Sequence, residues 1–141
     1  MTNYDKLIDV YQKKLSKALK HLEYSYKKIQ NMSLDVDTMD EEVLEVWESF
    51  SARFSRVVDL FLMKYVKSVV LKNDPGFQGS LRDFVDQGEK LGIVNNADTW
   101  MELRELRNIT AHEYTEKELS AFFLKLKELA PQLLSLKNIL S

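Results

Sequence analysis

Apolar residues return every three or four positions over most of the chain. This spacing places them on one face of a helix, and from Tyr4 to Ile29 the remaining face is filled largely by lysines. The apolar positions of this stretch are Leu7, Tyr11, Leu15, Ala18, Leu22, Tyr26 and Ile29. The pattern predicts a first helix over residues 4–29, with one apolar face and one basic face.

A second pattern of the same kind predicts a long helix in the middle of the chain. Thr38 and Glu41 have the spacing of a capping box, which predicts the start of the helix. The stripe continues through Val43, Trp47, Phe50, Phe54, Val57, Phe61 and Tyr65, and is widened by Val58, Leu62, Val66 and Val69. Pro75 removes an amide and disfavours helix at Asp74, so the helix should end in the segment Asn73–Gly76. Such a wide apolar face is typical of the centre of a bundle or of a dimer contact.

A short third helix and a longer fourth helix are predicted next. Ser80 can cap a third helix that runs to about Leu91. A loop over residues 92–98 offers three caps, Asn95, Asn96 and Asp98, for a fourth helix that begins near Thr99. The fourth helix includes Trp100, Leu103 and Leu106.

The last predicted helix begins at a second capping box, Thr115 with Glu118. Its apolar stripe runs through Leu119, Phe122, Leu126, Leu129, Leu133, Leu136 and Leu140. Pro131 should kink this helix without ending its pattern.

The sequence therefore predicts an all-α fold. Only four glycines and two prolines interrupt 141 residues of good helix formers, and there is no internal repeat or linker. The simplest assembly is an antiparallel four-helix bundle with an additional short helix. The length is enough for one hydrophobic core, so residues 1–141 are predicted to form a single domain.

Composition narrows the function classes. The net charge of −2 argues against a strongly basic nucleic-acid or membrane binder, although clustering can still create a basic face. The absence of cysteine excludes disulfides, thiol nucleophiles, zinc fingers and iron–sulfur clusters. The N-terminal residues lack the apolar core of a signal peptide, and Asp59, Lys64 and Lys67 interrupt the most apolar run. We expect a cytoplasmic protein without a membrane segment.

The candidate chemistry lies in the segment Arg107–Tyr114. Of the two histidines, His21 lies among lysines and is expected to be an ordinary surface residue. His112 is four residues after Asn108, so both share a helix face that Arg107 borders. In the last turn of the fourth helix, the helix dipole would favour a protonated His112 that can act as a general acid.

Arginine and histidine together suit RNA cleavage without a metal. The Arg107 guanidinium offers a permanently charged fork for phosphate oxygens and stabilises charge that accumulates on the phosphorus centre. Histidine can transfer protons while the ribose 2′-hydroxyl attacks the adjacent phosphate, a contribution of about 10² to 10⁴-fold in rate. No metal and no cofactor are expected.

The arrangement of Arg107, four residues, His112, one residue and Tyr114 resembles the arginine-x4-histidine-x-tyrosine motif of HEPN-domain proteins. The polar Asn108 after the arginine also fits as a supporting residue. The chain is similar in particular to the HepT-like toxins, which are the HEPN partners of minimal nucleotidyltransferases. The resemblance covers essentially the whole chain in length, helix count and late position of the motif.

This resemblance implies a toxin–antitoxin pair in which the chain is a homodimeric endoribonuclease and a minimal nucleotidyltransferase is its antitoxin. Arg107 and His112 would then be catalytic, in a cleft where two copies of the motif meet. Tyr114 would be the position to which the partner attaches AMP, which adds charge and bulk beside the cleft. The chain lacks the Gly-Ser motif and paired aspartates of a nucleotidyltransferase, so the partner would be a separate protein.

Other functions remain open. Some proteins with this resemblance are non-catalytic nucleotide- or substrate-binding subunits of a two-component nucleotidyltransferase, and a purely structural helical adaptor is a third hypothesis. Arg107 could simply form an ion pair with Glu102, Glu105 or Glu113.

Further groups of residues also have two interpretations. The lysines of the first helix either guide RNA phosphates or form a solvated face, and the second is the simpler interpretation; they are Lys13, Lys14, Lys17, Lys20, Lys27 and Lys28. Trp47, Trp100 and the phenylalanines are assigned to the core rather than to base stacking, because their spacing is helical. Four glutamates at positions 41, 42, 45 and 48 lie on one helix without histidine, which favours a charged face over a metal site.

Overall fold

The computed structural model describes residues 2–35, 39–108 and 115–140, and every element among them is helical. The elements are α1 (Tyr4–Ile29), α2 (Glu41–Asp59), a π-helical segment (Leu60–Val66), α3 (Lys67–Asn73), α4 (Leu81–Lys90), α5 (Ala97–Asn108), α6 (Glu116–Leu134) and α7 (Lys137–Leu140). The all-α prediction is confirmed.

The first helix has the bounds that its apolar spacing predicts. The Asn3 side chain caps α1 by accepting a hydrogen bond from the Lys6 N–H. Leu15, Leu22 and Ile29 are fully buried on its apolar face, which packs mainly against α2. The opposite face carries the exposed lysines.

The start of α2 differs from the prediction. The N-cap is Asp40, whose carboxylate accepts a hydrogen bond of 2.9 Å from the Val43 N–H. Thr38, the predicted cap, lies outside the described residues. Asp40 has the better position because it directly precedes the first helical residue, so its short side chain reaches the third amide of the helix.

The predicted long central helix is one helical run that contains a π-helical segment. The run extends from Glu41 to Asn73 through the π segment and α3, and it ends at Asp74 as predicted. In a π-helix each amide donates to the carbonyl five residues before it, so the chain turns less per residue. Buried residues lie on both sides of this change: Phe54, Val57 and Val58 in α2, and Phe61, Leu62 and Val66 in the π segment.

Helices α4 and α5 are joined by a tightly bonded loop. Ser80 caps α4 in a complete capping box with Asp83, as predicted for this serine. Asn96 is the residue that caps α5, since its Oδ1 accepts a hydrogen bond of 3.2 Å from the Thr99 N–H. Asn96 has a φ of 64°, a left-handed conformation that asparagine tolerates. Glu89 of α4 also accepts a hydrogen bond of 2.7 Å from the Ala97 N–H, which fixes the first residue of α5.

The C-terminal helix is shorter than its apolar stripe predicts. Thr115 caps α6 by accepting from the Glu118 N–H, and Pro131 lies inside the helix. The helix ends at Leu134, and a separate short helix, α7, follows. The stripe nevertheless continues into the core, because Leu133 and Leu136 are both buried.

Two aromatic contacts join distant parts of the chain in one hydrophobic core. Trp47 of α2 stacks on Phe123 of α6 at a centroid distance of 5.5 Å, and Phe61 contacts Trp100 of α5 at 4.5 Å. Both tryptophans are at most 1 % exposed, which confirms their assignment to the core. Among the helices of the described ranges, none is long and apolar enough to span a bilayer.

Candidate functional site

Helix α5 carries two partly buried arginines near its C-terminal end. Ala97, Trp100 and Leu103 recur at helical spacing and are at most 2 % exposed, so they fix which face of α5 is buried. Arg104 and Arg107 continue this face by helical spacing toward the end of α5, where they are only partly buried. Both arginines line a surface pocket.

Arg107 forms an ion pair with Asp59, the last residue of α2. The distance between Arg107 Nε and Asp59 Oδ1 is 2.6 Å, and each side chain is 37 % exposed. The hydrogen bond to Asp59 raises the pKa of Arg107, the charge of Asp59 adds to the rise, and partial burial opposes it. Arg107 therefore keeps its positive charge at every physiological pH.

The geometry of this ion pair leaves part of the guanidinium available. Asp59 accepts from Nε, and no hydrogen bond joins the two Nη groups to another residue of the described ranges. A guanidinium has five N–H donors in a rigid plane, so Nε can be held while the Nη edge meets a second acceptor. Asp59 can thus orient Arg107 without saturating it.

The π segment forms the other side of the pocket. Leu60, Met63 and Lys64 of this segment line it together with Asp59, Arg104 and Arg107, and the pocket volume is about 360 Å³. Distortions of helical hydrogen bonding of this kind occur frequently at functional sites. We name this surface, with its six lining residues, the Arg107 pocket.

The charges of the Arg107 pocket favour an anion. Its lining contains three cations, Lys64, Arg104 and Arg107, and one carboxylate, Asp59. Lys64 is exposed, and neither Lys64 nor Arg104 forms an ion pair with a residue that the structure describes. A phosphate group would meet Lys64 and Arg104, which have no carboxylate partner among the described residues, beside Arg107, which Asp59 already orients.

The structure locates only part of the predicted site. Arg107 is described in full, and Asn108 is the last residue of α5, with its side chain outside the described part. His112 and Tyr114 lie outside the described residues, as does the predicted last turn of the fourth helix. The predicted catalytic pair of Arg107 with His112 therefore stays a prediction.

The ion-pair partners that the sequence suggested for Arg107 are wrong where they are described. Arg107 pairs with Asp59, which is 48 positions away in the chain, while Glu102 lies 3.7 Å from Lys125. Glu105 is exposed, and Glu113 lies outside the described residues. Neighbours along a helix were the natural candidates, but the packing of α5 against α2 brings a distant carboxylate closer.

Sequence reasoning missed Asp59, Lys64 and Arg104 as members of the site. The available signal was the interruption of the most apolar run by Asp59 and Lys64, since charged residues inside such a stretch need a partner or a route to solvent. His21, which was predicted to be an ordinary surface residue, is exposed. Within the described ranges, no three histidines or carboxylates are grouped closely enough to hold a metal ion.

Comparisons with protein families, with curated proteins and with solved structures each found no match.

Proposed function

We propose that this chain is a HEPN-type toxin of a toxin–antitoxin pair and acts as a metal-independent endoribonuclease. The observation that supports the proposal is the Arg107 pocket, where the arginine of the motif is oriented by Asp59 beside Lys64 and Arg104. The proposal includes the HEPN arrangement of an antiparallel four-helix bundle, a homodimer cleft and a minimal nucleotidyltransferase as antitoxin.

The proposed reaction is an attack within the RNA backbone. The ribose 2′-oxygen forms a bond to the adjacent phosphorus, the bond from phosphorus to the 5′-oxygen breaks, and the products carry a 2′,3′-cyclic phosphate and a 5′-hydroxyl. His112 delivers a proton to the leaving 5′-oxygen, and the proton of the 2′-hydroxyl passes to a base or to water. The Nη edge of Arg107 binds the non-bridging oxygens and stabilises their charge.

In this mechanism Asp59 is a positioning residue. It accepts the hydrogen bond from Nε of Arg107 and does not occupy the two Nη groups. Removal of this hydrogen bond should lower kcat more than it raises KM, because a misplaced guanidinium stabilises the transition state less well. An effect of Asp59→Ala on KM alone would contradict this role.

Cleavage of RNA by the purified protein in excess EDTA tests the proposal. The native chain is compared with Arg107→Ala and His112→Ala, and with Arg56→Ala as a control, since Arg56 is an exposed arginine outside the Arg107 pocket. We expect cleavage with cyclic phosphate ends in the native and control proteins, and a loss of at least about 100-fold in the two motif variants. No cleavage by the folded native protein would refute the nuclease proposal.

The alternative is a non-catalytic subunit that binds a nucleotide or the partner's substrate. The Arg107 pocket supports it as well, because Lys64 and Arg104, which pair with no carboxylate of the described ranges, suit a nucleotide phosphate. Titration with ATP separates the two functions: binding that is lost in Arg107→Ala, without RNA cleavage by the native protein, would favour the binding subunit.

The proposed regulation is AMP addition to Tyr114 by the nucleotidyltransferase. Co-expression with the partner should add the mass of AMP to the native chain and not to Tyr114→Phe. A Tyr114→Phe chain that the partner still modifies at the same rate would exclude this position as the acceptor.

A further inference from the structure

Helix α1 carries a line of cations with an exposed aromatic ring among them. Lys13, Lys17, Lys20, Tyr24 and Lys28 cover roughly 80° of the helix circumference, given 3.6 residues per turn. They extend over about 22 Å along the axis. Arg53 of α2 lies beside the same line. We name these six residues the α1 stripe.

Tyr24 is the unusual member of the stripe. Its side chain is 64 % exposed, although most large apolar or aromatic side chains of the described residues are buried or partly buried. The Arg53 guanidinium and the Lys28 ammonium each lie 5.9 Å from the centre of its ring. Both cations lie over the ring, so an aromatic side chain that can stack with a base and positive charges that attract phosphates occur together here.

Two hydrogen bonds to α1 hold Arg53 in place, and no carboxylate of the described ranges pairs with it. One Nη group donates to the hydroxyl of Ser25 at 2.7 Å and to the carbonyl of His21 at 3.1 Å. Ser25 is only 3 % exposed, so the anchor of Arg53 lies under the surface of α1. The positive charge of Arg53 is therefore fixed beside Tyr24.

Two clefts accompany the stripe. Lys13, Lys17, Lys20 and His21 line the first with Gln12, Ser16 and Leu140, and the described part of this lining contains no carboxylate. Tyr24, Lys28 and Arg53 line the second, together with Glu42 and Glu45. Among the described residues, Lys17, Lys20 and Lys28 form no ion pair, whereas Lys13 pairs with Asp9 at 3.2 Å.

From this surface we infer that the α1 stripe binds single-stranded nucleic acid, with Tyr24 stacking on a base and the cations following the phosphates. The proposal deepens the proposed function, because RNA is the substrate there, and it adds a binding surface separate from the Arg107 pocket. A membrane is the less suitable partner. The apolar face of α1 is buried in the core at Leu15, Leu22 and Ile29, so the exposed part of this helix has too little apolar surface to enter a bilayer.

The test uses a fluorescein-labelled 2′-O-methyl RNA of mixed sequence and measures its anisotropy on titration with the full chain. The methyl group removes the attacking hydroxyl, so binding is measured without cleavage. We expect Tyr24→Ala to weaken binding by roughly 5-fold or more, while Tyr24→Phe, which keeps the ring, binds as the native protein does.

The charge of the stripe is tested with a matched pair of variants. Lys17→Gln with Lys20→Gln removes two stripe cations, and Lys90→Gln with Lys117→Gln removes two exposed lysines of α4 and α6. The stripe variant should lower the slope of log affinity against log salt by up to about 1.4, at 0.7 for each phosphate that is no longer neutralised, and the control variant should keep the native slope. Glu45→Gln should tighten binding, because it removes a carboxylate from the cleft of Tyr24.

Three results would overturn the inference. They are no binding of the oligonucleotide by the native chain, equal losses in the stripe and control variants, and binding to phosphatidylserine vesicles in place of the oligonucleotide. Binding that depends on the stripe in a protein that does not cleave unmodified RNA would support the stripe and refute the nuclease proposal. The two proposals can therefore fail separately.

Discussion

The ion pair between Asp59 and Arg107 has a coupling energy that can be measured by removing its members singly and together. Both side chains are 37 % exposed, so water screens their charges, but Nε and Oδ1 are only 2.6 Å apart. Exposed pairs contribute about 0.2–1 kcal/mol, and a hydrogen bond this short belongs in the upper half of that range. We expect a coupling of roughly 0.5–1 kcal/mol.

A double-mutant cycle is needed because the single variants are misleading. Asp59→Ala replaces a poor helix former by the best one, which offsets part of the loss by about 0.5 kcal/mol. Arg107→Ala also removes the packing of the aliphatic part of arginine. Both side effects cancel in the cycle, provided that each recurs in the double variant.

The free energies of unfolding come from urea titrations of the native chain, the two single variants and the double variant. The control is the same cycle on Glu102 and Lys125, which are 3.7 Å apart and more exposed, and whose coupling should be near zero. A coupling between Asp59 and Arg107 no larger than that of the control would refute the conclusion that Asp59 holds Arg107.

Three further predictions concern the structure around the site. Gly88→Ala should lower the free energy of unfolding, measured in urea, by about 1–2 kcal/mol. The new Cβ would lie 2.7 Å from Val94, and this overpacking outweighs the gain in helix propensity. Gly76→Ala, the control, should have little effect. A gain in stability for Gly88→Ala would show that the contact relaxes freely. Hydrogen bonds from Ser80 lower the pKa of Asp83 below its ordinary 3.8. The contribution of Asp83 to stability is therefore present above pH 3.8 and is lost as pH falls through the lower pKa that Asp83 has in the folded chain. The melting temperatures of native and Asp83→Asn chains should consequently differ at pH 7 and converge near pH 2. A constant difference would contradict this. Thr115→Ala should cost about 0.5–2 kcal/mol through loss of the α6 cap, and an unchanged urea midpoint would refute the cap.

Local signals in the sequence predicted much of the fold. The apolar spacing predicted both bounds of α1, and the residues Ser80 and Thr115 cap the helices whose starts they predict. Each of these features depends on residues within one or two turns of one another. Such short-range chemistry is visible in the sequence without knowledge of the packing.

The parts that were missed depend on contacts between distant residues. Asp59 meets Arg107 only because α2 packs against α5, and the π segment is one of several ways in which a run of apolar residues can stay buried. The C-terminal stripe predicted continued burial, and Leu136 is buried, but the same stripe is compatible with one helix or with two. Periodicity indicates which residues are buried and leaves the hydrogen-bonding pattern open.

The residues of the candidate site also divide into one that the sequence indicates and others that only the packing reveals. Arg107 was found from its motif, while Lys64 and Arg104 were found only when the pocket around it was known. Neither belongs to the motif, and Lys64 lies more than forty positions before it. A motif identifies residues whose spacing along the chain is fixed, and a pocket adds residues whose spacing is not.

The π segment also has a consequence for insertions and deletions. A stretch that turns less per residue holds, in effect, a surplus residue relative to an ordinary α-helix. Deleting one residue between Leu60 and Val66 would let the central run become uniformly α-helical, so its length would tolerate the change. The deletion would instead change the directions of Lys64 and Asp59 relative to Arg107, because these directions depend on the surplus residue. A one-codon deletion could thus leave a folded chain that lacks the Arg107 pocket.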